Sequence, residues 1–135
     1  MPEYDQNLLQ TNLRQAGENL PGPDYYTVLE WIHRAHRPAN YLEIGIRHGE
    51  SIKRALPTTV CVGVDPLPQP SPGMPVKTTI FGVTSDEFFA HEDVRALLGG
   101  GRLECAFIDG LHLWEQALKD FINTEPFCGP GSLVL

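Results

Sequence analysis

Short apolar runs alternate with helically spaced apolar residues from Tyr41 to the end of the chain. Runs of this length are typical of buried strands, and the helical spacing between them indicates the connecting helices of βαβ units. Strands that are covered on both faces need apolar residues on both sides. The pattern predicts an α/β fold, Rossmann-like and doubly wound, with a mostly parallel sheet. Five strands are predicted: Tyr41–Ile46, Val60–Asp65, Lys77–Val83, Leu103–Ile108 and Ser132–Leu135.

Helices are predicted before and between these strands. The first follows Asp24, a favourable N-cap residue, and ends before a proline. Ser51–Leu56 is a short helix, and Asp86–Leu98 opens with the capping-box spacing Thr84-x-x-Glu87. The last helix has the clearest pattern. Its apolar stripe consists of Leu113, Ala117, Leu118, Phe121 and Ile122.

Other segments depart from this alternation. Residues 1–23 are polar and predict a loosely packed N-terminal arm before a domain at 24–135. The five prolines of Pro66–Pro75 exclude a regular helix and predict an extended loop. Leu135 lies inside an apolar strand pattern, so we expect the fold to be truncated at about the fifth strand, with its C-terminal strands missing. The incomplete sheet edge would then allow a homo-oligomer.

Composition narrows the class of protein. The 135 residues fit one domain, and no apolar run is long enough to span a membrane. The N-terminus lacks the features of a signal peptide, so we expect a cytoplasmic protein. A net charge of -7 with scattered Lys and Arg argues against a nucleic-acid partner and favours a small molecule. The three cysteines are predicted to be buried thiols, and Trp31 and Trp114 to be packing residues.

A glycine-containing turn follows the first predicted strand, in the segment Glu43-Ile-Gly45-Ile-Arg-His-Gly49-Glu-Ser51. Glycines at such a turn let the backbone approach a ligand, but a strand-to-helix turn can also need them for its own geometry. Both explanations stay open for Gly45 and Gly49. The G-x-x-x-G spacing differs from the dinucleotide motif G-x-G-x-x-G. Glu43 lies within the strand and can reach the ligand side of the turn. His48 lies inside the turn and is the one other histidine expected to reach the pocket.

Asp65 ends the second predicted strand, about twenty residues after the first glycine. An acidic residue there can accept hydrogen bonds from both ribose hydroxyls of a nucleotide. The alternative is a turn-forming Asp before Pro66.

LEIGIRHGES, VGVD, TSDEFF, FIDGLHLWEQALKDF and GPGSLVL occur in this order along the chain. They resemble the motifs of class I S-adenosylmethionine-dependent methyltransferases. The resemblance covers about residues 25–135 and is greatest to the small-molecule branch with E-x-G-x-x-x-G-x-S and I-D-G-x-H, which includes sugar and macrolide O-methyltransferases. It implies S-adenosylmethionine as cofactor and O-methylation of a small-molecule acceptor.

The resemblance also implies roles for individual residues. Glu43, Gly45 and Gly49 would surround the methionine part of the cofactor, with Ser51 nearby, and Asp65 would hold the ribose. The residues matching the adenine site are Thr84, Ser85 and Asp86. Helix capping alone is an equally good explanation of those three residues.

Asp109 and His112 follow the fourth predicted strand. In the resembling enzymes the matching Asp can bind a divalent metal such as Mg²⁺, and the matching His can act as general base. A turn-bonding Asp and a helix-start His are the structural alternatives. A metal needs a further carboxylate, and Asp120 lies too far along its helix from His112 to complete the site by itself, so a metal at Asp109 is left open.

Two other functional classes are compatible with these patterns. One is a catalytically inactive cofactor-binding or assembly module whose open sheet edge pairs with a partner. The other is an NAD-dependent oxidoreductase, which the glycine spacing disfavours. The sequence therefore predicts a methyltransferase, with cofactor binding supported by more residues than catalysis.

Overall fold

Helices and strands alternate in the computed structural model, which describes residues 6–135. In chain order they are α1 (Gln6–Asn19), α2 (Tyr25–His36), β1 (Asn40–Ile44), β2 (Val60–Val64), β3 (Thr78–Phe81), α3 (Ser85–His91), α4 (Val94–Leu97), β4 (Leu103–Ile108), α5 (Trp114–Thr124) and β5 (Cys128–Val134). Two 3-10 helices, Ile52–Arg54 and Glu125–Phe127, follow β1 and precede β5.

The strands form one five-stranded sheet in the order β3-β2-β1-β4-β5, and its pairings are parallel. The chain runs from β1 outward to β3 and then returns to place β4 on the other side of β1. In open α/β sheets, ligands bind at the carboxyl ends of the strands beside such a reversal. The predicted α/β, Rossmann-like fold is confirmed.

Both faces of the sheet are covered by apolar side chains. On one face, Leu42 and Val62 pack in a cluster with Phe88 of α3. On the other face, Tyr41 belongs to a second cluster with Ile52, and the α2 residue Ile32 packs against it. Successive side chains of a strand point to opposite faces, so burial on both sides explains the apolar runs.

Two helix starts agree with the predicted caps. The Asp24 side chain accepts a hydrogen bond from the backbone N–H of Thr27 at 2.8 Å. At α3, the Thr84 hydroxyl accepts from the backbone N–H of Glu87, whose carboxylate accepts in turn from the N–H of Thr84. These local interactions were readable from the sequence because each cap uses residues only three apart.

Two other predicted helices were wrong in extent. The predicted helix Asp86–Leu98 is two helices, because Glu92 takes an extended conformation and Asp93 caps a new helix. The predicted helix Ser51–Leu56 is only the 3-10 turn Ile52–Arg54. Strand ends also shift, most clearly for β5, which starts four residues before its predicted beginning. The proline-rich loop contains no helix, as predicted.

The predicted polar arm contains a helix that the sequence pattern did not indicate. In α1 the side chains from position 10 to 19 are all exposed. Residues 1–5 of the arm lie outside the part of the chain that the structure describes. Nowhere in the described part is a helix both long and apolar enough to cross a membrane.

Helix α5 is confirmed, but its apolar stripe is not its buried side. Leu118, Phe121 and Ile122 are 42%, 44% and 58% exposed, whereas Asp120 and Thr124 are buried. The packing predicted for Trp31 and Trp114 is wrong, because both indole rings are largely exposed. Cys61 and Cys105 are buried free thiols, as predicted, whereas Cys128 is half-buried.

Candidate functional site

A cavity of about 700 Å³ opens at the carboxyl ends of β1, β2 and β4, beside the reversal of strand order. This volume lies within the range of small-molecule sites. Several predicted site residues line it together: Gly45, Ser51, Asp65, Thr84, Ser85, Asp86, Asp109 and His112. Glu43 and Gly49 lie next to this group without lining the cavity.

Gly45 and Gly49 both have backbone conformations that favour glycine. Gly45 has φ +89°, and a Cβ there would lie 2.1 Å from the carbonyl oxygen of Asp109. Gly49 has φ +78°, and its Cβ would lie 1.9 Å from the terminal methyl of Met74 in the proline-rich loop. The glycines therefore have structural reasons to be present. Gly45 additionally forms part of the cavity wall.

Glu43 lies behind the turn and is fully buried. Its carboxylate accepts a hydrogen bond from the Tyr41 hydroxyl at 2.6 Å and another from the Ser51 hydroxyl. The pKa of Glu43 is raised to about 7. Burial is the main cause and nearby Asp109 contributes in the same direction, whereas the two hydrogen bonds act to lower the pKa. Ser51 connects this buried acid to the cavity, since Ser51 itself lines the wall.

Asp65 occupies the cavity wall at the end of β2. One carboxylate oxygen accepts a hydrogen bond from the backbone N–H of Arg47, and the other accepts from the N–H of Leu67, both at 2.8 Å. The second contact is the local turn that was the structural alternative for this residue. Each oxygen can accept more than one hydrogen bond, so a ligand hydroxyl can share the same carboxylate.

Ser85 and Asp86 lie at the start of α3 and face the cavity beside the capping residue Thr84. Lys119 of α5 donates to Asp86 at 2.6 Å, which holds the pKa of Asp86 below its usual value. The capping role of Thr84 is therefore present, and the other two residues remain accessible from the cavity. Both explanations offered for this segment are compatible with the geometry.

Asp109 and His112 line the cavity just after the end of β4. Asp109 Oδ1 is 3.9 Å from His112 Nε2, and the imidazole is 86% exposed. Burial raises the pKa of Asp109, and the neighbouring His112 partly offsets this. An exposed imidazole at a cavity mouth can exchange protons with both a bound ligand and water.

The donor set does not fit a metal ion. Within residues 6–135, no three His, Cys, Asp or Glu side chains are grouped so that they could hold one. Asp120 is buried and lines the cavity together with Asp109 and His112, although the three do not form such a group. We therefore derive no metal-assisted step.

Sequence reasoning missed several residues of the wall. Tyr25 and Tyr26 line the cavity from the start of α2, and Gln116 and Asp120 line it from α5. The helical period could have shown that positions 116 and 120 share a face, but not that this polar face is turned inward. His48, expected beside the ligand side of the turn, does line the cavity.

A parallel sheet with this strand order and a cavity at its central strand ends belongs to the Rossmann-like class of ligand-binding α/β domains. No protein-family model matches the chain, and no curated protein matches it. Solved structures do match. One of them is the O-methyltransferase TomG from Streptomyces achromogenes, involved in tomaymycin synthesis and crystallised in complex with SAM.

The match to TomG has a TM-score of 0.64 at 15% sequence identity and covers 98% of this chain. The chain spans 65% of the length of the TomG chain. At this identity the likeness concerns the fold alone: this chain shares the Rossmann-like α/β fold of TomG.

Proposed function

We propose that the chain binds S-adenosylmethionine in the 700 Å³ cavity and acts as a methyltransferase on a hydroxyl group of a small molecule. The observation that carries this proposal is that Asp65 and Gly45, at the ends of the adjacent strands β2 and β1, line one cavity in a fold shared with a SAM-bound O-methyltransferase.

The residues of the cavity fit such a cofactor chemically. Asp65 supplies a carboxylate for the two ribose hydroxyls, and Gly45 forms the part of the cavity wall at the end of β1 that would lie against the amino-acid moiety. Ser85 and Asp86, which line the same cavity, are the residues proposed to contact the purine. Glu43 acts from behind the wall, by orienting Ser51 through their hydrogen bond.

The bound cofactor would supply an electrophilic methyl group. The protein's part is to orient the acceptor hydroxyl toward it and to remove the hydroxyl proton, since orientation can account for much of such a rate enhancement. His112 Nε2 is the group proposed to take this proton. The carboxylate of Asp109, 3.9 Å away, stabilises the imidazolium that results.

Titration calorimetry of the chain with S-adenosylhomocysteine and with NAD⁺ tests the proposal. We expect S-adenosylhomocysteine to bind and NAD⁺ to show no heat of binding. Binding of NAD⁺ without binding of S-adenosylhomocysteine would instead establish the oxidoreductase alternative. Transfer of a labelled methyl group to a panel of phenolic and sugar acceptors then separates an enzyme from a module that only binds the cofactor.

A further inference from the structure

Gln116 connects three polar residues at the α3 side of the cavity. Its side-chain Nε2 is 3.0 Å from Asp120 Oδ1, 3.2 Å from Ser85 Oγ and 3.5 Å from Asp86 Oδ1. All four residues line the cavity. The contact with Asp120 lies within α5, whereas the contacts with Ser85 and Asp86 hold the start of α3 against α5.

The surroundings determine which way the Gln116 amide points. Asp86 and Asp120 present carboxylate oxygens, which only accept hydrogen bonds when ionised. The NH₂ group of Gln116 must therefore be on their side, and its carbonyl oxygen must face away. Its two hydrogens go to the two shorter contacts, Asp120 Oδ1 and Ser85 Oγ. The position of Asp120 strengthens this preference, because Asp120 is 1% exposed and a buried carboxylate needs a donor.

The orientation of Gln116 in turn determines the role of Ser85. The Ser85 oxygen accepts a hydrogen from Gln116 Nε2, so the hydroxyl hydrogen of Ser85 stays available for another acceptor. Within the part of the chain that the structure describes, no acceptor takes that hydrogen. Ser85 then offers a donor to the cavity, next to the acceptor oxygens of Asp86.

The buried carboxylate of Asp120 fixes the position of the Gln116 side chain. Its Oδ2 is 3.7 Å from the point where a Cβ of Gly110 would lie, so the carboxylate lies directly under the turn after β4. For residues 6–135, the hydrogen bond from Gln116 is the one that its side chain accepts. Gln116 is thus held between a buried acid and the start of α3.

We propose that Gln116, anchored on Asp120, is a positioning residue that makes this end of the cavity selective for a 6-aminopurine over a 6-oxopurine. The inference rests on the proposed function, which places the purine of the cofactor here. A 6-aminopurine presents a ring-nitrogen acceptor beside an amino donor, which complements the Ser85 donor and the Asp86 acceptor. A 6-oxopurine instead presents a ring N–H donor beside a carbonyl acceptor. Its N–H would face the Ser85 donor and its carbonyl oxygen would face the Asp86 carboxylate, so both contacts would be unfavourable.

The test compares S-adenosylhomocysteine with S-inosylhomocysteine, which differ at the purine 6-position, by calorimetry on the full chain. We expect the wild-type protein to prefer S-adenosylhomocysteine by at least about tenfold, the effect of roughly one mismatched hydrogen-bonding pair. Gln116→Leu should reduce the preference to within about threefold while its thermal midpoint stays within a few degrees. Glu115→Ala, an exposed neighbour on the same helix, is the control and should keep the preference.

The outcomes separate this inference from the function on which it rests. A wild-type chain that binds neither compound overturns both. Equal binding of the two compounds, or an unchanged preference in Gln116→Leu, overturns the role of Gln116 and leaves cofactor binding in place. If Gln116→Leu does not fold, Gln116→Met keeps the side-chain length without the amide and decides the same question.

Discussion

The carboxylate of Asp65 accepts a hydrogen bond from the backbone N–H of Arg47, with 2.8 Å between the two atoms. This contact joins the end of β2 to the turn after β1. Arg47 is a non-glycine residue with φ 43°, in the left-handed region that costs about 1 kcal/mol for an L-residue. Asp65 therefore helps to hold a strained turn as well as facing the proposed ribose position.

We expect Asp65→Ala to weaken binding of S-adenosylhomocysteine at least about tenfold, the effect of losing charge-assisted hydrogen bonds. The free energy of unfolding should also fall, by about 1 kcal/mol, because the N–H groups of Arg47 and Leu67 lose their acceptor. Calorimetry and urea denaturation measure the two effects separately.

Asp93→Ala is the matched control. Asp93 also accepts a hydrogen bond from a backbone N–H, that of Ala96 at 3.1 Å, but it is not part of the cavity wall. It should lose similar stability with no change in affinity. If both variants bound the ligand equally well, Asp65 would have a structural role alone.

The sheet was predictable because its information is local. The central strands β1, β2 and β4 are short and mostly apolar, and the caps at Asp24 and Thr84 use residues three apart. The break between α3 and α4 was missed because apolar residues at helical spacing occur on both sides of Glu92. Its signal is also local, since Asp93 caps α4 through the N–H of Ala96, but one cap inside a longer apolar pattern does not by itself indicate a break.

Residues of the candidate site were predicted where a strand ends in a polar side chain, as at Asp65 and Asp109, which both line the cavity. It was missed on α5, where the sequence pattern and the burial disagree. An apolar stripe normally marks the core side of a helix, yet here Asp120 is buried while Phe121 is 44% exposed. Only the three-dimensional contacts of Gln116 show why polar residues occupy the inner side.

We expect His112→Ala to retain affinity for S-adenosylhomocysteine within about twofold and to lower methyl transfer by about 100-fold or more, the usual contribution of a general base. The imidazole is 86% exposed, so its removal leaves no buried gap and should not affect folding. His91→Ala, at the end of α3, is the control for loss of an exposed histidine. Undiminished transfer by His112→Ala would assign proton removal to another group.

Glu43 should make the stability of the protein depend on pH. Its pKa is raised from 4.5 to about 7 in the folded protein, chiefly by burial, so the folded state binds the proton more tightly than the unfolded state. This contribution is complete below about pH 4.5 and is lost as the pH rises to about 7. We expect a loss of at most about 3 kcal/mol across that interval, and urea denaturation should show none of it in Glu43→Gln.

Glu87→Gln provides a comparison of opposite sign. The backbone N–H of Thr84 lowers the pKa of Glu87, so its contribution is present above the ordinary pKa of 4.5 and is lost as the pH falls. The difference between wild type and Glu87→Gln should therefore change only at acidic pH. For Glu43, the contradicting result would be a difference in the free energy of unfolding between wild type and Glu43→Gln that does not change from about pH 5 to 8. That result would show that Glu43 is ionised throughout this range.

Alanine substitutions at three glycines with positive φ distinguish the stability cost of backbone strain from that of steric conflict. Gly99 has φ +84° with no atom within 4 Å of a Cβ, so Gly99→Ala should cost about 1 kcal/mol, the strain alone. Gly49→Ala adds a conflict with the flexible end of Met74 and should cost about 2 kcal/mol. Gly45→Ala meets the rigid backbone of Asp109 and should cost more than about 3 kcal/mol.

A double-mutant cycle with Met74→Ala tests the cause of these differences. Removing the Met74 side chain should relieve Gly49→Ala, with a coupling free energy of at least about 0.5 kcal/mol in urea denaturation. The same substitution should combine additively with Gly45→Ala, because the conflict there is with the carbonyl of Asp109 and no side chain can move to relieve it. Additivity at Gly49 would mean that the proline-rich loop, and not the Met74 side chain, sets the space beside the turn.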